Sequence, residues 1–176
     1  MNVNLTQLGK DISTLAITAV VNEWKAQGHN LTGKAISEIE TIVKLQVNEL
    51  QITGLVLDYM AINNQGVPSD RIPYYPNSGN RESEYIKGLI KYAKMRMGAS
   101  DKKAKSIAFA IASKHKKEGM PTKNSVIKHS TTGRRTGFIE IGLEKNNAKF
   151  IELIENAIKY SVEVTVLGYY KSILGR

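Results

Sequence analysis

The sequence predicts an α+β fold, with helices packed on a small antiparallel β-sheet and a long basic loop or arm. Three observations predict it. Several stretches repeat apolar residues at threes and fours, the period of a half-buried helix. One pair of adjacent stretches instead alternates with a period of two, the mark of a strand. Between Pro121 and Gly137 the chain is polar, basic and without period. With 176 residues and 41% apolar content, the whole of 1–176 suits a single domain.

Residues 4–26 read as the first helix, within an N-terminal segment 1–28. Leu5, Leu8, Ile12, Leu15, Ala16, Ala19, Val20 and Trp24 form its stripe, Asn4 can cap it and Gly28 follows it. Ile17 and Val21 widen the apolar surface, so this helix wants cover on more than one side. After a loop at 29–34, Ile39, Thr41, Val43, Leu45 and Val47 alternate with polar residues. A turn at Asn48-Glu49 and a second strand from Leu50 to Leu57 complete an antiparallel hairpin. Asp58 to Gln65 is a short helix stopped by Gly66.

Three of the four prolines fall in the loop 66–81. Tyr74 and Tyr75 there are candidate interface residues, because tyrosine gives rigid contact area. They serve equally well as pins of the loop on its own domain. Residues 82–97 form an amphipathic helix ending at Gly98. Ser100 then caps a helix with the stripe Ala104, Ile107, Ala108, Ile111 and Ala112, terminated by Gly119 and Pro121. Residues 120–138 read as an extended basic arm. Helix returns over 143–159. From 160 to 170, Val162, Val164 and Val166 alternate like a strand, yet the stretch could equally prolong the helix.

The charge is local. Residues 101–135 hold ten basic and two acidic residues of a chain whose formal net charge is +9. Such a segment attracts polyanions, or it forms a solvated face. Lys114, Lys116, Lys117, Lys123, Lys128, Arg134 and Arg135 are the candidate DNA or subunit contacts. There is no cysteine, which removes disulfides, thiolate metal sites and cysteine nucleophiles. Polar residues interrupt the N-terminal apolar run, unlike a secretory signal, and no apolar run reaches membrane-spanning length.

Chemistry is hard to assemble. His29, His115 and His129 lack metal-ligand spacing. His29 reads as a loop residue, and the lysines around His115 and His129 favour exposed positions. The carboxylate pairs Glu38/Glu40 and Glu82/Glu84 have structural explanations, an outer strand face and a helix start. Thr132-Gly133-Arg134-Arg135-Thr136-Gly137 matches no nucleotide-binding fingerprint. Two arginines between glycines can nevertheless reach a phosphate backbone or an acidic neighbour. No catalytic, cofactor or metal residue is expected. Aromatic residues do not interleave with the basic stretch and no base-reading motif is evident, so any DNA contact would be to the backbone.

The hairpin followed by Asp58-Tyr59-Met60-Ala61-Ile62, Gly66-Val67 and the proline-rich loop is similar to head–tail connector and tail-completion proteins of tailed phages. Glu118-Gly119-Met120-Pro121-Thr122, with Gly133-Arg134-Arg135 and Gly137-Phe138-Ile139, resembles small virion proteins of crAss-like phages of Bacteroidetes. The resemblance spans roughly 30–145; the long basic region departs from the compact tail-completion pattern. It implies a structural virion protein of the neck or tail, assembled in the host cytoplasm. The expected assembly is a homo-oligomeric six- or twelve-fold ring that links the portal to other neck or tail proteins and surrounds the DNA channel. It implies no catalytic residue. The basic segment alone suggests an alternative, a small DNA-binding accessory protein without sequence preference. A nuclease would need a carboxylate cluster for metal ions, and none can be assembled.

Overall fold

Period and capping place most elements where the sequence predicts them. The computed structural model describes residues 5–46, 49–76 and 82–174. In chain order these hold α1 (Leu5–Ala26), α2 (Lys34–Ser37), β1 (Glu40–Gln46), β2 (Glu49–Leu55) and α3 (Asp58–Gln65). A 3₁₀ turn (Ser69–Arg71), α4 (Glu84–Met97), α5 (Asp101–Glu118), α6 (Lys123–His129), α7 (Phe138–Lys145) and α8 (Asn147–Leu174) follow. The fold is α+β: mostly helix, with one two-stranded antiparallel sheet. The expected Asn4 cap, the Asn48 turn and the end of the proline-rich loop at 77–81 lie outside the described residues.

The chain divides into two compact units, each assembled from separated segments. Unit 1 is 1–25, 34–57 and 138–176, and unit 2 is 26–33 and 58–137. The borders fall in the last turn of α1 and at the starts of α2, α3 and α7.

Unit 1 is organised by α1. Its buried face runs through Gly9, Ser13, Ala19, Val20, Val21, Glu23 and Trp24. The expected stripe is therefore right at the C-terminal half and displaced at the N-terminal half, where Leu8, Ile12, Leu15 and Ala16 are only half-buried and Leu5 is exposed. The reason is the hairpin. A Cβ at Gly9 would lie 2.7 Å from Val43 Cγ1 and 3.3 Å from Leu50 Cδ1, so only a glycine lets the strands come this close. Val43 pairs with Ile52 and Leu45 with Leu50 in the ladder. Thr41, Val43, Leu50 and Ile52 are half-buried, as the alternation predicts, but Leu45 stays exposed.

The core of unit 1 lies between α1 and α7. Phe138 is fully buried and meets Trp24 edge-on, with ring centroids 4.8 Å apart and planes at 70°. Small residues let the two helices touch: a Cβ on Gly142 would sit 2.8 Å from the Ala19 carbonyl oxygen. The buried Glu23 carboxylate accepts a 2.7 Å hydrogen bond from Lys145 Nζ. The stretch 160–170, open between strand and helix in the sequence, is helix and belongs to the 28-residue α8.

Unit 2 is built on α4 and α5, which pack along one another. Ile86 and Ala93 face Ala104, Ala108 and Ala112, all at or near zero exposure. Alanines at intervals of four keep that interface flat and close. Ser83 caps α4 by accepting from the Ile86 N–H, and Gly98 ends it in the left-handed conformation. Ser100 starts α5 without the side-chain cap bond expected of it.

The segment 120–138 is not an extended arm. Met120 exchanges two 2.7 Å backbone hydrogen bonds with Val67. Thr122 Oγ1 then caps α6 through the Ser125 N–H at 3.3 Å. Ser130 Oγ closes the next turn by accepting from the N–H groups of Thr132 and Arg134 and donating to the Arg134 carbonyl. Local capping bonds, which leave no trace in hydrophobic period, fold this stretch.

Candidate functional site

The charge asymmetry foreseen in the sequence becomes a property of one unit. Unit 2 contains 16 basic and 6 acidic residues, and unit 1 contains 9 and 10. All three histidines lie in unit 2.

The expected contacts separate into residues that are engaged and residues that are presented. Lys116 is engaged: its ammonium donates to the carbonyls of Asp70 and Ile72 at 3.3 and 3.2 Å and lies 5.0 Å from the Tyr75 ring centroid. It ties the proline-rich loop to α5. Lys114 pairs with Glu118 one turn on. Lys117, Lys123, Lys128 and Arg134 are exposed, and among the described residues no carboxylate pairs with their side chains. Tyr74 is a pin, since its hydroxyl accepts from Ser113 Oγ at 3.3 Å and its ring leans on Phe109. Tyr75 is 68% exposed and keeps the interface reading open.

Arg135 has a different environment from its neighbour Arg134. It is half-buried; Nε donates to the Gln27 carbonyl at 3.0 Å, and Nη2 reaches the Gly28 carbonyl at 3.4 Å and His29 Nδ1 at 3.5 Å. His29 Nε2 returns a 3.1 Å hydrogen bond to the Arg135 carbonyl. Thr131 donates twice to the Ala26 carbonyl, through its N–H and its hydroxyl. The carbonyls of Ala26, Gln27 and Gly28, at and just past the end of α1, thus find their donors in 131–135, as a helix end requires. Gly28 makes this approach possible: it holds φ +72°, and a Cβ there would lie 2.1 Å from the His129 carbonyl oxygen.

Arg96, at the end of α4, completes the cluster. Its Nη1 reaches the Asn30 carbonyl at 3.4 Å and its Nη2 reaches His129 Nδ1 at 3.3 Å. Nothing in the local sequence joins residues 29, 96, 129 and 135; the fold brings them together, and the sequence reading missed Arg96 for that reason.

The electrostatics are uniform in sign. Burial, then the Arg135 charge, pushes the His29 imidazole down to about 4. Burial, then Arg96, Arg135 and Lys128, lowers His129. Burial, then Arg135, lowers His115. His115 is buried, against the expectation of an exposed residue among lysines, and its Nδ1 shares a 2.7 Å hydrogen bond with the Tyr85 hydroxyl. That phenol is itself pushed up to about 12 by burial. The neutral form is thus favoured at all three rings; Nδ1 of His29 and of His129 meets an arginine donor, and Nδ1 of His115 meets the Tyr85 phenol.

The carboxylate pairs of the sequence hold structural posts. Glu82 pairs with Lys105 at 2.8 Å and Glu84 with Lys87 at 2.7 Å, while Glu38 and Glu40 are exposed beside α2 and β1. Among the described residues no group of three histidines or carboxylates could hold a metal ion, and no helix is long and apolar enough to cross a membrane. Comparisons with family models, curated proteins and solved structures find no match to this chain.

Proposed function

We propose that this chain is a non-enzymatic structural subunit that assembles with further copies of itself, in the neck or tail of a tailed-phage particle. One observation carries the self-assembly: α8 displays apolar side chains that its own unit leaves uncovered. Ile151, Ile154, Ile158 and Val162 are 47, 41, 57 and 55% exposed and recur at threes and fours along one face. Phe150, Leu153 and Ala157 form the adjoining half-buried edge. A contiguous exposed apolar stripe on a helix is surface awaiting a partner. Three lysines and three glutamates leave α8 without net charge, so copies do not repel one another along it. The setting rests on the resemblance to connector and tail-completion proteins, which also supplies the ring, its six- or twelve-fold order, its portal and neck partners and its place in the virion.

Sedimentation velocity and native mass spectrometry test the reading. The wild type is expected to run as a closed oligomer at micromolar concentration. Replacing Ile154 and Ile158 together with glutamate is expected to give a monomer with unchanged helix content, because neither side chain is part of the core. A strictly monomeric wild type that is also absent from purified particles would sink the proposal.

The excess of positive charge in unit 2 favours a second reading, a DNA-binding accessory protein. In that case duplex binding is expected to weaken steeply with salt and to vanish on charge reversal at Lys117, Lys128 and Arg134.

A further inference from the structure

We propose that Arg96, Arg135 and His129, backed by His29, form a binding site for a phosphate group. The cluster has three properties that point to an anion. First, it concentrates cations without a counter-charge: among the described residues neither Arg96 nor Arg135 forms an ion pair with a carboxylate. Second, Arg135 is half-buried, and a guanidinium withdrawn from water without an anionic partner is held at a cost that an arriving anion relieves. The carbonyls of Gln27 and Gly28 offset part of that cost but carry only partial charges. Third, donors remain. Arg135 uses Nε and Nη2 on the 27–29 segment, and Nη1 has no partner among the described residues. Arg96 spends its two terminal nitrogens on contacts of 3.4 and 3.3 Å, long enough to exchange for stronger ones.

The chemistry favours phosphate over a single carboxylate. Two guanidinium forks present more donors than one carboxylate can accept, while a phosphate group offers several oxygens and pairs with arginine in bidentate fashion. Lys128 and Arg134, both exposed, flank the cluster in sequence and extend the positive surface as a polymer backbone would use it. The phosphate could come from a nucleic-acid backbone or from a free phosphate ion. The site consists of unit 2 side chains alone and stands whether or not α8 self-associates.

The test uses full-length protein, inorganic phosphate and a labelled 20-base-pair DNA duplex. At constant ionic strength, inorganic phosphate is expected to shift the ring resonances of His29 and His129, and Arg96→Gln to abolish the shift. Arg96→Gln is expected to weaken duplex binding by about tenfold and to lower the salt slope by about one. Lys44→Gln, which removes the same charge from an exposed strand position, is expected to leave both readouts unchanged. Arg135→Lys keeps the charge but loses the fork and its bonds to Gln27 and Gly28, so it should weaken binding and lower the melting temperature together; Arg96→Gln, which gives up only contacts of 3.4 and 3.3 Å, is the variant expected to weaken binding at a nearly unchanged melting temperature. Phosphate shifts without an effect of Arg96→Gln on duplex binding would assign the site to a free phosphate ion. Loss of both would assign it to a nucleic-acid backbone. The proposal is overturned by unshifted histidines together with wild-type duplex binding in Arg96→Gln. Equal weakening by Lys44→Gln overturns it too, as does a triglutamate peptide that shifts the same rings more strongly than phosphate.

Discussion

Unit 1 sets nine basic residues against ten acidic ones and leaves the long apolar stripe of α8 uncovered; unit 2 sets 16 against 6 and buries its small apolar core between two helices. The difference separates two kinds of unfinished surface in one chain. Exposed apolar area is relieved by burial against a like surface, without direction and with little salt dependence. Uncompensated charge is relieved by an anion, over distance and with strong salt dependence. Self-association and anion binding are therefore separable by experiment. The chain carries its own probes for doing so, because its one tryptophan, Trp24, lies in unit 1 and its three histidines lie in unit 2.

The largest effect is expected in the unit 1 core. Phe138 is completely buried and supplies the ring against which the Trp24 edge packs. Phe138→Ala removes that ring and leaves a cavity between α1 and α7, at a cost of about 4 kcal/mol. Chemical denaturation followed by Trp24 emission checks the magnitude, and a red-shifted native spectrum should accompany it. Histidine resonances that stay dispersed in the variant would show that unit 2 holds its structure when the unit 1 core is damaged. Their collapse would show one cooperative whole.

Acid should act the other way, on unit 2 first. Between about pH 6.5 and the value near 4 at which folded His29 titrates, the unfolded chain binds a proton that the folded one refuses. Stability is thus complete above 6.5 and falls as the pH drops towards 4. His29 contributes on the order of 2 kcal/mol once its partial exposure is allowed for. His115 and His129 are lowered as well and add in the same direction, driven by burial and by Arg135, Arg96 and Lys128. Glu82, Asp101 and Glu118, held low by Lys105, Lys94 and Lys114, add small losses at still lower pH. Denaturation at pH 7 and pH 4.5 measures the loss, and His29→Gln should flatten it. A stability that is level across this window contradicts the buried neutral ring.

The sequence made some of this contrast legible and hid the rest, for physical reasons. Helices α1, α4 and α5 and the hairpin show through because each buries one face, and burial writes period into composition. The alanine stripe at 104, 108 and 112 continues to His115 on the same face of α5, so the burial of His115 was readable there; its lysine neighbours, a hundred degrees round the helix, misdirect. Helix α6 buries no residue, and Ile127 is 81% exposed, so nothing periodic announces it. The Arg96–Arg135 cluster was hidden for a different reason. It depends on chain segments meeting in space, and each residue alone looks like ordinary surface charge.

The smallest effect tests the boundary between the two kinds of surface inside α1. Ser13 is buried at 6% exposure, and among the described residues its hydroxyl has no hydrogen-bond partner. It stands one turn after Gly9, on the face turned to the hairpin, where small size matters more than polarity. A hydroxyl kept from water without a partner is a cost, and serine is a weaker helix former than alanine. Ser13→Ala keeps the face small and removes both penalties, so it should stabilise the protein by up to about 1 kcal/mol, read from the same Trp24 denaturation curve. Ser13→Val is the contrasting variant: it also lacks the hydroxyl, but its extra bulk meets closely packed neighbours and should destabilise. Gain from alanine and loss from valine together would establish that close approach, and not a concealed polar role, decides this position. A loss from alanine would instead reveal a bond made by the hydroxyl in solution, and with it polar chemistry in the unit whose open surface is otherwise apolar.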